Sequence, residues 1–279
     1  MNQHFKSQHF KSQHFKRLIT GLIAAPILLA IIIYSSEKSF FVFILAVIQV
    51  AVWEYNRLVF GKKGNAWEKG EVFFFAFAIP LALYLNDFIL VTVVITCCLF
   101  ISFLIFILQT REAEIDIAKM GKVILGFMYM PLLMSYFILL RLLPEGVLWV
   151  FFTLTVAFFG DVFAFYTGKT LGKRKLQPFI SPGKTVAGTA GLIIGCVAGG
   201  VLFQKFAFNH LPLVHAVILG GFGGIMCQLG DLFESAIKRA GDAKDAGFIL
   251  PGHGGILDRL DSLAFIVPFV FYYQHFVIK

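Results

Sequence analysis

Residues 89–108 read ILVTVVITCCLFISFLIFIL and contain no charged side chain. A helix needs about 20 predominantly apolar residues to cross the roughly 30 Å hydrocarbon layer of a bilayer. Residues 18–34 and 147–166 form stretches of similar length with almost no charge. These stretches therefore predict helices that span a membrane.

The composition of the whole chain agrees with a membrane protein. Of its 279 residues, 58% are hydrophobic and 14% are charged, whereas soluble domains carry about 25% charged residues. A transmembrane β-barrel would show segments of about ten residues with alternating polarity, and the sequence has no such pattern. The net charge of +8 lies in short loops between apolar stretches, which is typical of orientation against an anionic leaflet and does not indicate nucleic acid as a partner. The sequence predicts an all-α, polytopic integral membrane protein.

Hydropathy predicts nine transmembrane helices, at about residues 18–34, 40–58, 71–85, 88–108, 122–142, 146–166, 185–207, 213–233 and 256–276. With the amino terminus in the cytoplasm, the outer side receives few of the 24 lysines and arginines, namely Lys38, Arg141, Lys205 and Lys279. This distribution obeys the positive-inside rule for an odd number of spans. We therefore expect the loops that carry most lysines and arginines to face the cytoplasm.

The chain divides into three predicted regions. Residues 1–17 form a basic cytoplasmic tail with a short Gln-His-Phe-Lys-Ser repeat, which we expect to contact lipid headgroups, with metal binding by its histidines as the alternative. Residues 18–145 hold the amino-terminal transmembrane helices, and residues 146–279 form the carboxy-terminal catalytic region. The apolar run from residue 18 lacks a polar domain directly after it, so we expect it to remain as the first helix and not to be a signal peptide.

Small residues suggest close helix packing in the last third of the chain. Gly191, Gly195 and Gly199 recur at every fourth position, so one face of the predicted seventh helix can approach a neighbouring helix or form a dimer seam. The four cysteines lie in apolar segments without the paired C-x-x-C spacing of a zinc or redox site. We expect them to be packing residues.

Charged residues cluster in two segments, 169–185 and 231–261, and the acidic ones suggest a metal site. Asp258 and Asp261 are three residues apart, so both project from one face near the start of the predicted ninth helix. Asp231, near the end of the eighth helix, can supply a third carboxylate. Taken singly, each could be a charge that only anchors a helix end. Together they suit magnesium, which binds one or two carboxylates along with waters and substrate phosphates.

Basic residues and a glycine-rich loop lie between these carboxylates. Lys238, Arg239, Lys244 and Arg259 can hold a polyphosphate. The loop Pro251-Gly252-His253-Gly254-Gly255 precedes a helix amino terminus, where backbone amides can approach a phosphate closely. His253 could donate to a phosphate or transfer a proton, and a histidine that only occupies a turn is the alternative.

The segment 181–185, Ser-Pro-Gly-Lys-Thr, looks at first like a phosphate loop. That motif requires a glycine where this chain has Pro178, and no strand is predicted before it, so we reject the assignment. Pro182 and Thr185 still favour a helix start, where Lys184 could reach a bound phosphate. We interpret the preceding Lys173, Arg174 and Lys175 as a basic loop that sets topology.

These residues resemble a known family, the phosphatidate cytidylyltransferases, also called CDP-diglyceride synthetases. Every fixed position of the family's carboxy-terminal signature is present, as Ser235-Ala-Ile-Lys238-Arg239, Lys244-Asp245-Ala-Gly247 and Leu250-Pro251-Gly-His253-Gly254-Gly255-Ile-Leu-Asp258-Arg259-Leu-Asp261. The resemblance extends to Gly230-Asp231, the Asp161 region and residues 168–185, so it spans the last 120 residues or so. The first 145 residues share only the multi-helix layout.

The resemblance implies an all-helical, dimeric enzyme with CTP and phosphatidate as substrates and a magnesium-dependent site facing the cytoplasm; a role for potassium is left open. It implies metal ligands Asp231, Asp258 and Asp261, which with Lys238 and His253 form the catalytic set. The implied phosphate-binding residues are Ser181, Lys184, Thr185, Ser235, Arg239, Lys244, Asp245, Gly254, Gly255 and Arg259. One departure is Val186-Ala187-Gly188, where many relatives have Trp-Glu-Gly, so any role of that glutamate is absent or supplied elsewhere.

Two other functions use similar residues. A different membrane phosphotransferase, such as a polyprenol-phosphate sugar-1-phosphate transferase or a lipid kinase, also needs carboxylates and cations. A transporter would use Asp161, Asp231 and Asp258 to carry protons or sodium, but the hydropathy shows no repeat of two matching halves. For the favoured function we expect a lateral opening between helices that admits the lipid headgroup.

Overall fold

Helices make up nearly all of the structure, which confirms the predicted all-α class. The computed structural model describes residue 22 and residues 24–61, 65–110, 116–249 and 254–278. Its helices are α1 (Ala24–Tyr34), α2 (Glu37–Val59), α3 (Ala66–Tyr84), α4 (Phe88–Gln109), α5 (Ile117–Phe127), α6 (Leu133–Leu142), α7 (Gly146–Leu171), α8 (Val186–Ala207), α9 (Leu213–Ala240) and α10 (Leu257–Tyr273). Two π-helical turns, Met128–Leu132 and Gln274–Ile278, join α5 to α6 and extend α10.

Within these described ranges, seven helical segments are long and apolar enough to cross a membrane. They are α2, α4, the continuous α5–α6 segment, α7, α8, α9 and α10 with its π turn. The other two predicted spans correspond to α1 and to α3. The first two turns of α3 carry the charged residues Glu68, Lys69 and Glu71. The chain is an integral membrane protein, and the count of nine spans stays a prediction. The tail of residues 1–17 lies outside the described residues.

Several helices are longer than hydropathy predicts because polar residues begin or continue them. Asp116 caps α5 by accepting a hydrogen bond from the Ala118 amide at 3.0 Å, so this helix starts at Ile117 and not near residue 122. Helix α9 continues past the predicted end at residue 233 to Ala240. Glu234 and Lys238, four residues apart and ion-paired, stabilise this last part. As a result, Ser235, Lys238 and Arg239 lie on a helix.

Glycines allow α8 to lie directly against both α7 and α9. A methyl group on Gly199 would lie 2.8 Å from Cβ of Phe159 on α7, and one on Gly195 would lie 2.6 Å from the Phe159 carbonyl oxygen. On the α9 side, a methyl group on Gly220 would lie 2.6 Å from Cα of Val197. These distances are too short for a side chain, so the predicted glycine face is used for packing within the chain.

The cysteines mostly fill space in this packing. Cys98, Cys196 and Cys227 are buried, Cys97 is exposed, and all four are free thiols. Cys196 on α8 and Cys227 on α9 contact each other. Burial among apolar neighbours agrees with the predicted packing role for three of the four.

A short antiparallel hairpin, absent from the predictions, precedes α8. Strand β1 (Lys175–Gln177) pairs with β2 (Ser181–Thr185), with Lys175 opposite Thr185. The Thr185 side chain then caps α8 by accepting from the Gly188 amide at 3.1 Å. The segment 181–185 is thus a strand that leads directly into α8, with Lys184 beside the start of that helix.

Candidate active site

Polar side chains from α7, β2, α8 and α9 surround a cavity of about 400 Å³, here called the polar cavity. Its charged lining residues are Asp161, Lys169, Lys184 and Asp231. Gln228 on α9 joins them and accepts a hydrogen bond from the Thr189 hydroxyl at 2.8 Å. The cavity therefore offers both signs of charge to a ligand.

Lys184 and Asp231 form the ion pair of the polar cavity. The Lys184 Nζ lies 2.6 Å from Oδ2 of Asp231, and 32% of the Asp231 side chain remains exposed. The sequence predicted that Lys184 would reach a phosphate. In the structure Lys184 binds the Asp231 carboxylate instead. Both side chains line the open cavity, so a phosphate that enters it could replace Asp231 as the partner of Lys184.

Helices α9 and α10 touch where Gly230, next to Asp231, meets the backbone of Asp261. A methyl group on Gly230 would lie 3.0 Å from the Asp261 carbonyl carbon, so glycine is needed for this approach. The negative charges of Asp231 and Asp161 both act on Asp261, and Lys184 opposes them. Three acidic side chains from α7, α9 and α10 thus concentrate negative charge in a small region.

Lys238 sits between two carboxylates on the other side of the same contact. Its Nζ lies 2.5 Å from Oε2 of Glu234 and 2.8 Å from Oδ1 of Asp258. All three side chains are buried or nearly so, with exposed fractions of 14% for Lys238, 0% for Glu234 and 9% for Asp258. The predicted catalytic residues Lys238 and Asp258 are therefore in direct contact.

Asp258 also orders the loop in front of α10. Its carboxylate accepts hydrogen bonds from the Ala246 amide at 3.0 Å and the Gly255 amide at 2.8 Å. Gly254 has φ of +84°, in the left-handed region that favours glycine. The predicted His253, with Pro251 and Gly252, lies outside the described residues.

The remaining predicted phosphate-binding residues surround this centre at different depths. Arg239 donates to the backbone carbonyls of Ile180, at 3.2 Å, and Ala243, at 3.1 Å, and so ties the hairpin to the loop after α9. Ser235 is buried, whereas Lys244 and Asp245 are exposed on that loop. Arg259 is exposed and acts electrostatically on Asp161. Ser181 begins β2.

A second cavity of about 420 Å³, here called the amphipathic groove, adjoins the acidic residues. Asp161, Asp258, Arg259 and Asp261 line one part of it. Side chains of α1, α7 and α10 supply its apolar part, namely Leu28, Leu29, Ile32, Phe151, Leu154, Phe158, Phe159 and Leu263. Asp161, Asp231, Asp258 and Asp261 are here called the acidic cluster. Because Asp161 lines both cavities, this cluster can be reached from a polar space and from an apolar one.

A known protein family matches nearly the whole chain. The model of the cytidylyltransferase family matches residues 15–277. The chain belongs to the cytidylyltransferase family. It is 43% identical over 155 residues to the phosphatidate cytidylyltransferase of Bacillus subtilis strain 168, a match that covers 55% of this chain and 58% of that protein.

Two further relatives of the chain are also named phosphatidate cytidylyltransferase. The phosphatidate cytidylyltransferase of Staphylococcus saprophyticus is 40% identical over 161 residues, which cover 56% of this chain and 57% of the relative. That of Haemophilus influenzae is 36% identical over 138 residues, 48% of each chain. The matches thus span about half the length of the curated relatives.

A divalent cation would find carboxylates at this site but no complete set of protein ligands. In the part of the chain that the structure describes, no three acidic, histidine or cysteine side chains are grouped tightly enough to hold a metal ion. Magnesium needs only one or two carboxylates, with waters and substrate phosphates completing its shell. The repulsion between the charges of Asp231 and Asp261 is one that a cation between them would relieve. The ligand set Asp231, Asp258 and Asp261 stays a prediction.

Three acidic residues at the site were not assigned a role in the favoured function from the sequence. Glu234 is fully buried against Lys238, and Glu54 from α2 reaches the start of α10. Asp161 was noted but not placed in the site, although it lines both cavities. The available signal was an ionisable residue inside an apolar helix, which usually faces a cavity or a partner.

Replacing Gly230 with alanine should separate α9 from α10 at this point. The added methyl group would meet the Asp261 backbone, with its carbonyl carbon at 3.0 Å, and Cδ2 of Phe265, also at 3.0 Å. We expect a loss of stability of about 1–3 kcal/mol, as is typical of overpacking, together with a loss of enzymatic activity. Thermal unfolding of the purified protein in detergent measures the first effect.

Gly221→Ala on the same helix is the matched control. A methyl group there meets only Cγ2 of Val197, at 3.9 Å, which is ordinary contact. Its unfolding temperature should stay close to that of the parent protein. Equal unfolding temperatures for the two variants would contradict the tight contact at Gly230.

Proposed function

We propose that this chain is a phosphatidate cytidylyltransferase, which joins CTP to phosphatidate, releases pyrophosphate and forms CDP-diacylglycerol for phospholipid synthesis. The observation that carries the proposal is the position of the acidic cluster between the polar cavity and the amphipathic groove. A water-soluble nucleotide and a membrane lipid must meet at one charged centre in this reaction. The names of the relatives support the same activity.

The lysines of the site are suited to bind a triphosphate. Lys184 binds one carboxylate in the structure, at 2.6 Å, and Lys238 binds two, at 2.5 Å and 2.8 Å. A phosphate in the polar cavity can take over Lys184, because a point-charge ammonium accommodates different anions. Lys238, which is 14% exposed, must first leave its carboxylates. We assign Lys184 and Lys238 to the phosphates of CTP, with Arg239 and Lys244 at the edge of the site.

The chemistry we propose is an in-line substitution at phosphorus. A phosphate oxygen of phosphatidate attacks the α-phosphorus of CTP, the bond from that phosphorus to the bridging oxygen breaks, and pyrophosphate leaves with the electron pair. The attacking phosphate is already ionised near neutral pH, so no strong base is required. The main tasks of the site are to position two anions against their repulsion and to offset the developing charge.

The carboxylates would serve a metal ion. We propose that one or two carboxylates from the set Asp231, Asp258 and Asp261 would hold Mg²⁺, which when bound would offset negative charge on the phosphates. For Asp258 this requires Lys238 to release Oδ1, a change that favours transfer of Lys238 to a phosphate. A companion potassium ion and a homodimer remain predictions.

The apolar part of the groove supports entry of the lipid from the side. Leu29 and Phe158 line the groove and are 48% and 65% exposed, so its rim is apolar where a bilayer would lie. A phosphatidate molecule could keep its acyl chains on this rim while its headgroup reaches Asp161 and Arg259. We place the site on the cytoplasmic side of the inner membrane, in agreement with the positive-inside distribution.

An assay of the purified protein with CTP labelled at the α-phosphorus tests the proposal. With phosphatidate and Mg²⁺, the label should appear in a lipid, and unlabelled pyrophosphate should be released in equal amount. Parallel reactions with ATP, GTP and UTP, and reactions with a chelator, should give little or no labelled lipid.

Other products would overturn the proposal in favour of the alternatives. Transfer of the γ-phosphate of ATP to diacylglycerol would indicate a lipid kinase. Transfer of a sugar phosphate to a polyprenyl phosphate would indicate the other phosphotransferase. Cation uptake by proteoliposomes, with no labelled lipid in the assay, would indicate a transporter.

A further inference from the structure

Glu54 is a buried acidic side chain in the amino-terminal half, outside the family signature. It lies in α2 with no exposed surface. Burying a carboxylate is costly unless it finds partners. Val52 and Tyr55 near it on α2 are buried apolar or aromatic residues, and Arg57 on the same helix acts on it through its charge. The hydrogen-bond partner of Glu54 comes from another element.

The hydrogen-bond partner of Glu54 is a backbone amide at the start of α10. Its Oε2 accepts from the Leu257 amide at 2.8 Å, across 203 positions of sequence, and the Ile256 backbone acts on the carboxylate from the same end of the helix. The first amides of a helix lack partners within the helix. Ile256, the residue in the capping position, offers no polar side chain for them. Glu54 therefore caps α10 from a different helix, at the end where negative charge is favourable.

Glu54 also fills the space beneath the loop that precedes α10. A methyl group on Gly255 would lie 2.7 Å from Cδ of Glu54, and one on Gly247 would lie 3.0 Å from its Cγ. One helical turn later, the Arg57 guanidinium lies over the Phe248 ring at 4.4 Å. One face of α2 thus supports both described ends of this loop.

These contacts lie immediately before Asp258 in sequence. Glu54 touches Gly255 and binds the Leu257 amide, and the Gly255 amide itself donates to Oδ2 of Asp258 at 2.8 Å. The charges of Glu54 and Asp258 repel each other. The effect of Glu54 on Asp258 must therefore come from the backbone that it holds and not from attraction.

We propose that Glu54 is a positioning residue of the active site: it fixes the start of α10 and the adjoining glycines so that Asp258 meets Lys238. This inference rests on the proposed function only for its effect on catalysis. It gives the amino-terminal half of the chain a defined part in the site.

Hydrogen–deuterium exchange tests the structural part without any substrate. In Glu54→Ala, amides in a peptide covering residues 254–261 should exchange at least about tenfold faster, because the cap is lost. Glu54→Gln keeps an oxygen acceptor and should show a smaller change. Unchanged exchange in Glu54→Ala would overturn the proposal, whatever reaction the protein catalyses.

Glu71 provides the matched control for both variants. It is a buried carboxylate on α3, 8% exposed, and it accepts a hydrogen bond from the Ser102 hydroxyl at 2.5 Å. Glu71→Ala and Glu71→Gln should leave exchange at residues 254–261 unchanged. If Glu71→Ala loosens this peptide as much as Glu54→Ala does, the effect is a general loss of stability and the proposal is wrong.

Steady-state kinetics test the catalytic part. We expect kcat to fall about 10- to 100-fold in Glu54→Ala, as for lost supporting contacts around other sites, while KM for CTP changes little. Glu54→Gln should recover part of kcat. Normal kcat in a Glu54→Ala protein with loosened exchange would overturn the positioning role, and absence of activity in the parent protein would instead count against the proposed function.

Discussion

Replacing Asp258 with asparagine is expected to slow CDP-lipid formation at least about 100-fold, on the scale of losing one charge-stabilising group in an active site. The substitution removes a negative charge that contacts Lys238 at 2.8 Å and that we propose also serves Mg²⁺. Asparagine has nearly the same shape, and its oxygen can still accept from the Gly255 amide. The variant should therefore remain folded in detergent and elute as a single species.

Asp116→Asn is the control for this prediction. Asp116 caps α5, and asparagine is an equally good capping residue. Its turnover should match that of the parent protein. Near-normal turnover in Asp258→Asn, or equal inactivity of the two variants, would contradict the role of Asp258.

Replacing Lys238 with methionine is expected to cost both activity and stability. Glu234 is fully buried and Asp258 is 9% exposed, so removal of the lysine leaves two carboxylates without their shared cation. Breaking a buried ion pair from one side typically costs about 3–5 kcal/mol. We expect a loss of this size in detergent unfolding measurements, together with loss of turnover.

Two further variants separate these effects. Adding Glu234→Gln to Lys238→Met should recover part of the stability, since one uncompensated charge is removed, but turnover should stay lost. Lys184→Met breaks a more open pair, because Asp231 is 32% exposed, and should cost less stability than Lys238→Met. An equal or larger cost at Lys184 would contradict the buried network around Lys238.

Much of the fold could be predicted because each span is encoded locally. An uncharged stretch such as residues 89–108 predicts its own helix, and α4 (Phe88–Gln109) has almost the same bounds. The ends were harder to predict, since hydropathy does not register caps such as Asp116 or the Glu234–Lys238 pair. The hairpin before α8 was missed for a similar reason, because it consists of only a few polar residues.

The site was predictable where its residues lie close together in sequence. The carboxy-terminal signature contains both Lys238 and Asp258, and the structure brings them into contact. Glu54 could not be placed in the same way, because its partner Leu257 is 203 positions away and only the packing of α2 brings them together. The pairing of Lys184 with Asp231 also depends on tertiary structure and not on spacing.

A structure of the protein with CTP and Mn²⁺, analysed by anomalous scattering at the manganese edge, tests the central claim most directly. We predict a manganese peak at about 2.1 Å from carboxylate oxygens among Asp231, Asp258 and Asp261, with the triphosphate against Lys184 and Lys238. Manganese and nucleotide bound elsewhere, for example in the cavity lined by Glu68, Asp116 and Lys119, would contradict it.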